Sequence, residues 1–210
     1  MIAPDLRFTI EGAAPVPHAA VPLVALRLRV AARERVGGAF LRCQVEIDAI
    51  RRRYDAGERE RLADLFGGPT VWERGLRSLH WARVTVLVPA FEDSAVVDLE
   101  LPCTQDLCVA AARYVAGLSD GTMPLRVLFA GTVFAFDGEG RAQVVPIPLS
   151  REASFELPIA VWRDLVAEHF PGTAFVPLSS QLALRLARAR AERSLATLDE
   201  LVEQLLENRR

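Results

Sequence analysis

The first three-quarters of the chain alternate apolar and polar residues with a period of two, which is typical of strands with one buried and one solvated face. The alternation is clearest from Leu41 to Asp48, where one side carries Leu41, Cys43, Val45 and Ile47. It recurs over residues 6–10, 24–30, 81–88 and 96–101. Antiparallel sheets commonly have such one-sided strands, so the pattern predicts an antiparallel β core.

Glycine-rich segments indicate how some of these strands connect. Residues 36–39 contain two glycines and separate the strands at 24–30 and 41–48, which predicts a hairpin between those strands. A further hairpin is predicted between residues 125–136 and 143–147, across the turn that contains Gly138 and Gly140.

Residues 125–136 differ from the alternating strands because nearly all of them are apolar. Such a run predicts a central strand that is buried on both faces, so that Phe129 and Phe134 would both be core residues. Its partner at 143–147 contains Pro146 and is followed by Pro148, and prolines confine a strand to the edge of a sheet.

Helical periodicity interrupts the strands and dominates the C-terminus. Residues 55–66 are predicted as an inserted helix with Asp55 as its N-cap, and Thr104 is a candidate cap for a second helix. Three more helices are predicted at 159–170, 180–194 and 197–208, the last with a capping box that begins at Thr197.

These patterns predict the α+β class, with an antiparallel β sheet or sandwich core, an inserted helix and a C-terminal helical segment. Residues 1–158 would form the mainly β core, with one or two inserted helices. Residues 159–210 would form helices that pack on this core. No linker divides the 210 residues, so we expect a single domain.

Composition narrows the classes of function. The 25 basic and 27 acidic residues give a net charge of −2, which provides no overall attraction to nucleic acid or anionic lipid. All the basic residues are arginines, which excludes catalytic and phosphate-binding lysines. The longest uncharged apolar run, residues 127–136, is shorter than the roughly 20 residues of a membrane helix. We therefore expect a cytoplasmic protein with no membrane insertion and no nucleic-acid partner.

The three cysteines and three histidines do not form a recognisable metal or catalytic motif. Cys103 and Cys108 are five residues apart, and Cys43 lies on the apolar face of its strand, where a free thiol usually serves as a small core residue. A reactive Cys103 is an alternative, because it stands near a predicted helix start. We expect no metal, no cofactor and no identifiable catalytic residue.

Two regions carry candidate interaction residues. The basic run Arg51–Arg53 is flanked by acidic residues, which favours a self-paired solvated face. The last two predicted helices carry opposite charges, and the final one has an apolar stripe, so they are predicted to pack as an antiparallel pair. The outer face of that pair is the predicted partner-binding surface, represented by Arg185, Arg188, Leu198, Leu201 and Leu205.

Three segments, LRCQVEI at 41–47, LPCTQDLCVAAARYVAGLSDGTMPLRVLFAGTVF at 101–134 and VWRDLVAEHFP at 161–171, resemble an actinobacterial domain-of-unknown-function family. Members of that family often lie near genes of NiFe hydrogenase, so the resemblance implies a cytoplasmic accessory role near this enzyme. A weaker, fold-level likeness to the export chaperone SecB involves residues 40–45, 121–124 and 133–134.

These observations favour a non-enzymatic protein-interaction or assembly factor, whose partner would be a hydrogenase component or a second copy of the chain. A SecB-like chaperone is one alternative. The other is an enzyme of unrecognised type that uses Cys103, Asp106 or His80. An exposed apolar patch would favour the binding protein, and a deep pocket that gathers these polar groups would favour the enzyme.

Overall fold

The computed structural model of this chain describes residues 4–104, 109–136, 140–176 and 178–208. The chain divides into two compact units, Met1–Gly172 and Thr173–Arg210. Over the described residues, the first unit contains two antiparallel sheets, five α-helices and one short 3-10 helix, and the second contains two α-helices. The α+β class with an antiparallel core is confirmed.

The smaller sheet has three strands in the order β1–β2–β5: β1 (Arg7–Pro15), β2 (Leu23–Ala31) and β5 (Ser94–Pro102). Neighbouring strands are antiparallel. The alternation in β2 has the predicted effect, because Val24, Leu26, Leu28 and Val30 are all fully buried while Arg27 is exposed.

The larger sheet has five strands, ordered β4–β3–β6–β7, with β8 also paired to β6. Its strands are β3 (Val36–Ile47), β4 (Leu79–Val88), β6 (Thr122–Phe136), β7 (Ala142–Ile147) and β8 (Glu152–Pro158). The first half of β6 pairs with β8 and the second half with β7, while β3 runs along its other side. The prediction that residues 125–136 form the central strand is therefore confirmed in position, and β7 lies at an edge as expected.

The inner faces of the two sheets share one hydrophobic core. Phe8 of β1 stacks on Phe129 of β6, with ring centroids 4.2 Å apart. Leu41, Cys43 and Val45 of β3 are fully buried in the same core. The two sheets thus form a sandwich that is held by the apolar side of each alternating strand.

Helices connect and cover parts of this sandwich. Between β3 and β4 lie α1 (Ala56–Arg61), α2 (Ala63–Phe66) and α3 (Trp72–Gly75). The fourth helix, α4 (Val109–Gly117), precedes β6, and α5 (Ile159–His169) contacts β1, β2 and β8. Within the second unit, α6 (Ser180–Glu192) and α7 (Leu198–Glu207) contact each other.

Helix-start signals were accurate where the side chain itself makes the cap. The Asp55 carboxylate accepts from the Glu58 amide at 2.7 Å, completing a capping box, and Thr197 accepts from the Glu200 amide at 3.2 Å. The helix predicted over residues 55–66 is divided at Leu62 into α1 and α2. Thr104 lies just before residues 105–108, which are outside the described part of the chain.

The predicted hairpin between β2 and β3 is wrong, because the two strands lie in different sheets. Its supposed turn is part of β3, where the register against β6 shifts between Val36 and Ala39. Gly38 has a φ of +122°, and a Cβ there would lie 3.0 Å from the Val88 carbonyl oxygen. The two glycines therefore form a bulge inside a strand, where backbones approach closely.

Candidate interaction surface

The outer face of β6 carries large apolar side chains that other elements do not cover to the extent that they cover the inner face. Phe129 on the inner face is 1% exposed, whereas Phe134 and Phe136 on the outer face are 42% and 40% exposed. The prediction that β6 is buried on both faces, with Phe134 in the core, is therefore wrong. The apolar run reflects a central position in the sheet together with an outer face that remains open to solvent.

Neighbouring strands extend this open apolar area. The strand registers place Phe40 opposite both Leu87 and Thr132, and Phe134 opposite Val144. Leu87 and Val144 are 70% and 64% exposed. We name the group of Phe40, Leu87, Phe134, Phe136 and Val144 the apolar patch. Its members belong to four adjacent strands, so the patch is held by backbone pairing.

A row of polar side chains crosses the same face beside the apolar patch. Arg83 Nη2 donates to Gln44 Oε1 at 2.6 Å, and Gln44 Nε2 donates to Glu46 Oε1 at 2.7 Å. Arg126 Nη2 donates to the other oxygen of Glu46 at 2.8 Å. This row fixes the orientation of the Gln44 amide, since its oxygen faces Arg83 and its nitrogen faces Glu46.

The charge of Glu46 is maintained by this row. Burial alone would raise the pKa of this carboxyl, but the hydrogen bonds from Arg126 and Gln44 and the nearby positive charges outweigh that effect. The pKa of Glu46 is consequently held below its ordinary value. Glu46 therefore remains an anion at neutral pH, and Arg126 is its matching cation.

A groove of about 350 Å³ opens between the polar row and the turn that follows β7. Its polar lining consists of Arg42, Gln44 and Arg83, and its other lining residues are Leu128, Phe129, Ala130 and Leu149. Leu149 is 82% exposed. The groove therefore combines two guanidinium groups with an apolar wall on an open sheet face.

The residues predicted to bind a partner lie in the second unit. Arg185 and Arg188 are exposed on α6, and Leu198 and Leu205 are 43% and 38% exposed on α7. Leu201 is fully buried. The predicted packing of α6 and α7 on each other agrees with the contact between them, whereas their antiparallel direction and the role of these five residues stay predictions.

Among the described residues, Cys43, Cys103 and His80 do not line the groove. Cys43 is fully buried, and burial raises the pKa of its thiol to about 12, so it is a core residue as predicted. Cys103 is also buried, and His80 is exposed on β4. Cys108 and Asp106 lie outside the described residues. Within the described ranges, no group of three or more potential ligands could hold a metal ion.

Arg52 of the predicted basic run, together with Arg61 and Arg163, binds the chain's own backbone. Arg61 Nε donates to the Gly117 carbonyl oxygen at 2.9 Å, and Arg52 Nη2 donates to that of Asp120 at 2.7 Å. Arg163 of α5 donates to the Ser119 carbonyl oxygen at 2.6 Å. These groups satisfy carbonyls at and after the C-terminus of α4, where cations are favoured. Arg52 and Arg61 therefore have structural contacts.

Arg52 also forms a largely buried ion pair with Glu58, at 2.8 Å. Glu58 is 3% exposed and accepts in addition from the Ser119 amide at 2.8 Å. Nearby, the hydroxyls of Tyr54 and Tyr114 are 2.7 Å apart, and Tyr54 donates to the Ala49 carbonyl oxygen. This cluster joins the segment before α1 to the turn after α4.

A protein-family model matches residues 3–210. The chain belongs to DUF6084, a family of unknown function. This membership confirms the predicted resemblance to a domain-of-unknown-function family, while the hydrogenase association and the SecB likeness remain predictions. No curated protein sequence matches this DUF6084 chain.

Solved structures offer only distant likenesses to the DUF6084 chain. A CARDB domain from Pyrococcus furiosus, in complex with di-metal ions, is 14% identical, with a TM-score of 0.28 over 74% of this chain and 87% of the other. A Kluyveromyces marxianus β-glucosidase in complex with glucose is 9% identical, also with a TM-score of 0.28, over 75% of this chain and 15% of the enzyme. Superpositions this poor support no inference about the function of the DUF6084 chain.

The open sheet face was missed at the sequence level for an identifiable reason. A continuous apolar run usually means a strand covered on both sides, so Phe134 was assigned to the core. The available signal was Arg42, Gln44 and Glu46 on β3, because a polar face on one strand implies that the same face of its neighbours is open.

No helix in the described ranges is long and apolar enough to span a membrane.

Proposed function

We propose that this protein is a non-enzymatic interaction or assembly factor that binds a partner protein through the outer face of its five-stranded sheet. The observation that carries the proposal is the exposure of Phe134 on the outer face of the same central strand that buries Phe129 on its inner face. Contiguous exposed apolar area on a folded domain often marks a binding surface. Aromatic side chains on a rigid sheet also lose little entropy on binding, and aromatic residues are enriched where interfaces gain most of their affinity.

The expected partner has an apolar surface with acidic groups at its border. The apolar patch would be covered by the partner's apolar side chains, and Arg42 and Arg83 at its border favour a carboxylate. The resemblance to a family found near hydrogenase genes suggests a component of NiFe hydrogenase as the first candidate. We propose that the protein binds this partner in the cytoplasm.

The test begins with the intact chain as bait in its native host, followed by purification of each captured protein. Binding is then measured between the two purified proteins by isothermal titration calorimetry. The triple variant Phe40→Ser/Leu87→Ser/Phe134→Ser should lower the affinity at least tenfold. Cross-links from the wild-type complex should map to β3, β4 and β6.

The matched control carries serine at two exposed apolar positions outside the patch, Ile50 and Val71, which are 59% and 47% exposed. This control should bind as the wild type does. Equal affinity of the wild type and the triple variant for every purified partner would refute the proposal. Self-association of the wild type that the triple variant lacks, measured by light scattering after size exclusion, would identify a second copy as the occupant instead.

The hairpin of α6 and α7 is a second candidate surface. Leu198, Val202, Leu205 and Leu206 are all at least 38% exposed along one side of α7. No ion pair joins the α6 arginines to the α7 carboxylates within the described residues, while Arg190 donates to the Ala196 carbonyl oxygen and Glu200 accepts from the Ala196 amide. Deletion of residues 196–210 tests this surface. Lost binding by a stably folded truncated chain would assign the partner to the hairpin, whereas retained binding would favour the sheet.

A SecB-like chaperone differs from an assembly factor in what it binds. A chaperone of that kind would use the apolar patch to bind many unfolded chains, whereas an assembly factor would bind one folded partner. The two are separated by adding several unrelated, chemically unfolded proteins to the intact chain. Binding of most of them, and its loss in the triple variant, would favour the chaperone.

A further inference from the structure

The groove beside the apolar patch has a chemistry of its own. Arg42 lines it, and no hydrogen bond or ion pair joins the Arg42 side chain to any described residue. Arg83 lines it as well, and the one hydrogen bond of its guanidinium group within the described residues is to the neutral amide of Gln44. Two guanidinium groups therefore share a small groove, and no carboxylate of the described chain is bonded to either of them.

The opposite wall of the groove is apolar. Leu128 and Ala130 belong to β6, and Ala130 lies opposite Arg42 in the strand register. The small side chain of Ala130 leaves space in front of Arg42, and Leu149 forms an exposed rim. Low-dielectric walls strengthen the attraction between a guanidinium group and an anion that displaces water from the groove.

The surrounding acidic groups limit the charge of the ligand. Glu46 is held as an anion two residues beyond Gln44, and Glu152 lies opposite Leu128 in the register with β8. Arg126 pairs with Glu46 and also lies in the field of Glu152. These two carboxylates would repel a doubly charged phosphate more strongly than a singly charged carboxylate. A single carboxylate requires only Arg42 and Arg83 as its partners.

We propose that this groove binds a carboxylate carried on an apolar or aromatic group. The guanidinium forks of Arg42 and Arg83 receive the carboxylate, with the bidentate geometry that arginine offers, and Leu128, Ala130 and Leu149 receive its apolar body. The carboxylate is that of an acidic side chain flanked by apolar residues on the partner, and this assignment rests on the proposed function. A free carboxylic acid of the same shape has the same chemistry.

The test uses the full-length, isotope-labelled chain and small probes, so it does not depend on a known partner. Sodium 3-phenylpropanoate is titrated while nuclear magnetic resonance follows the backbone amide of Ala130 and the side-chain amide of Gln44. We expect saturable shifts at these two positions. The uncharged analogue 3-phenylpropanamide should bind at least tenfold more weakly, and phenyl phosphate should not bind more tightly than the carboxylate.

Substitutions of the two groove arginines test which side chains bind the carboxylate. Arg42→Gln and Arg83→Gln should each weaken 3-phenylpropanoate binding about tenfold, and the double variant should abolish it. Arg7→Gln is the matched control, because Arg7 is an exposed strand arginine of the smaller sheet. Equal binding of the acid and its amide, or undiminished binding by the double variant, would overturn the inference, as would the lack of any saturable shift.

A second arm separates the two sources of the carboxylate. The peptide acetyl-Phe-Glu-Phe-amide is compared with its Gln counterpart and with 3-phenylpropanoate. Tighter binding of the Glu peptide than of the small acid supports a polypeptide ligand, and the reverse order supports a free acid. If a purified partner binds the Arg42→Gln/Arg83→Gln variant as it binds the wild type, the partner's carboxylate does not occupy the groove. The assignment of the groove to a partner side chain then fails while the proposed function stands.

Discussion

The inner and outer faces of β6 each carry phenylalanine, but the surroundings of these rings differ. Phe129 faces the smaller sheet and stacks on Phe8, while Phe134 lies five residues further along the same strand and remains 42% exposed. Apolar character alone therefore does not determine burial, because each face needs a second layer to cover it. The smaller sheet covers the inner face, and the outer face keeps enough apolar area to receive another molecule.

Two ion pairs also differ in whether their surroundings are buried or open to solvent. The largely buried ion pair of Arg52 and Glu58 links the N-terminal part of α1 to the turn after α4, and its atoms also bind backbone groups of that turn. The ion pair of Arg126 and Glu46 lies on the open sheet face, where the Arg126 side chain is 38% exposed. The Arg126 guanidinium is more accessible to water than either member of the first pair, so we expect the two pairs to differ in their effect on stability.

The largest expected effect distinguishes the two phenylalanines. Phe129→Ala should lower the free energy of unfolding by about 3–5 kcal/mol, because it leaves a cavity between the sheets. Phe134→Ala should lower it by no more than about 1 kcal/mol, because its side chain is already partly hydrated. Urea denaturation followed by circular dichroism measures both variants. Similar losses for the two would mean that the outer face is covered in solution.

The two ion pairs give the next largest contrast. Glu58→Ala should lower the free energy of unfolding by about 3 kcal/mol, since Arg52 would remain largely buried without its carboxylate. Glu46→Ala should cost no more than about 1 kcal/mol, because Arg126 can turn to water. The same urea experiment compares them, with Arg7→Ala as an exposed control. A loss at Glu46 as large as that at Glu58 would contradict the openness of the outer face.

The thiol of Cys43 tests the inner face directly. Cys43→Ser should lower the free energy of unfolding by about 1–3 kcal/mol, because a hydroxyl replaces a small apolar group in the core. The buried thiol, with its pKa raised to about 12, should also resist alkylation by iodoacetamide at pH 8 until urea unfolds the chain. Mass spectrometry of peptides locates the label, and rapid labelling of Cys43 in the native protein would place its strand face in solvent.

Local sequence patterns predicted many strands and helices of this fold. They did not predict which strands pair, because strand partners are distant in sequence. The alternation of Leu41 to Ile47 correctly gave the buried side of β3, because it depends only on that strand. The supposed hairpin across Gly37 and Gly38 failed because strand partners are chosen by distant segments. Strand β8 was missed for a related reason: its short alternation, which buries Ala153 and Leu157, gains its meaning from pairing with β6.

The candidate site was less predictable than the fold. The residues predicted to bind a partner were chosen from the amphipathic pattern of the last helix, and Leu201 among them is fully buried. The outer sheet face combines single residues of several strands, such as Phe40, Leu87 and Val144, which are far apart in sequence. Only the strand order brings them together, so no local motif could indicate them.

The smallest expected effect is a pH dependence that arises on the outer face. The folded-state pKa of Glu46 lies below its ordinary value of 4.5, since hydrogen bonds from Arg126 and Gln44 favour the anion. The unfolded chain therefore takes up the proton first as the pH falls, and the stability that the charged form provides is lost through the acidic range. Glu46→Gln removes this contribution. The difference in free energy of unfolding between wild type and Glu46→Gln should be constant from pH 8 to about pH 5 and should shrink as the pH falls further through the folded pKa. Urea titrations at several pH values measure it. A difference that stays constant down to pH 3 would show that Arg126 and Gln44 do not bind the Glu46 carboxylate in solution. The hydrogen-bonded polar row that borders the groove would then not exist in solution.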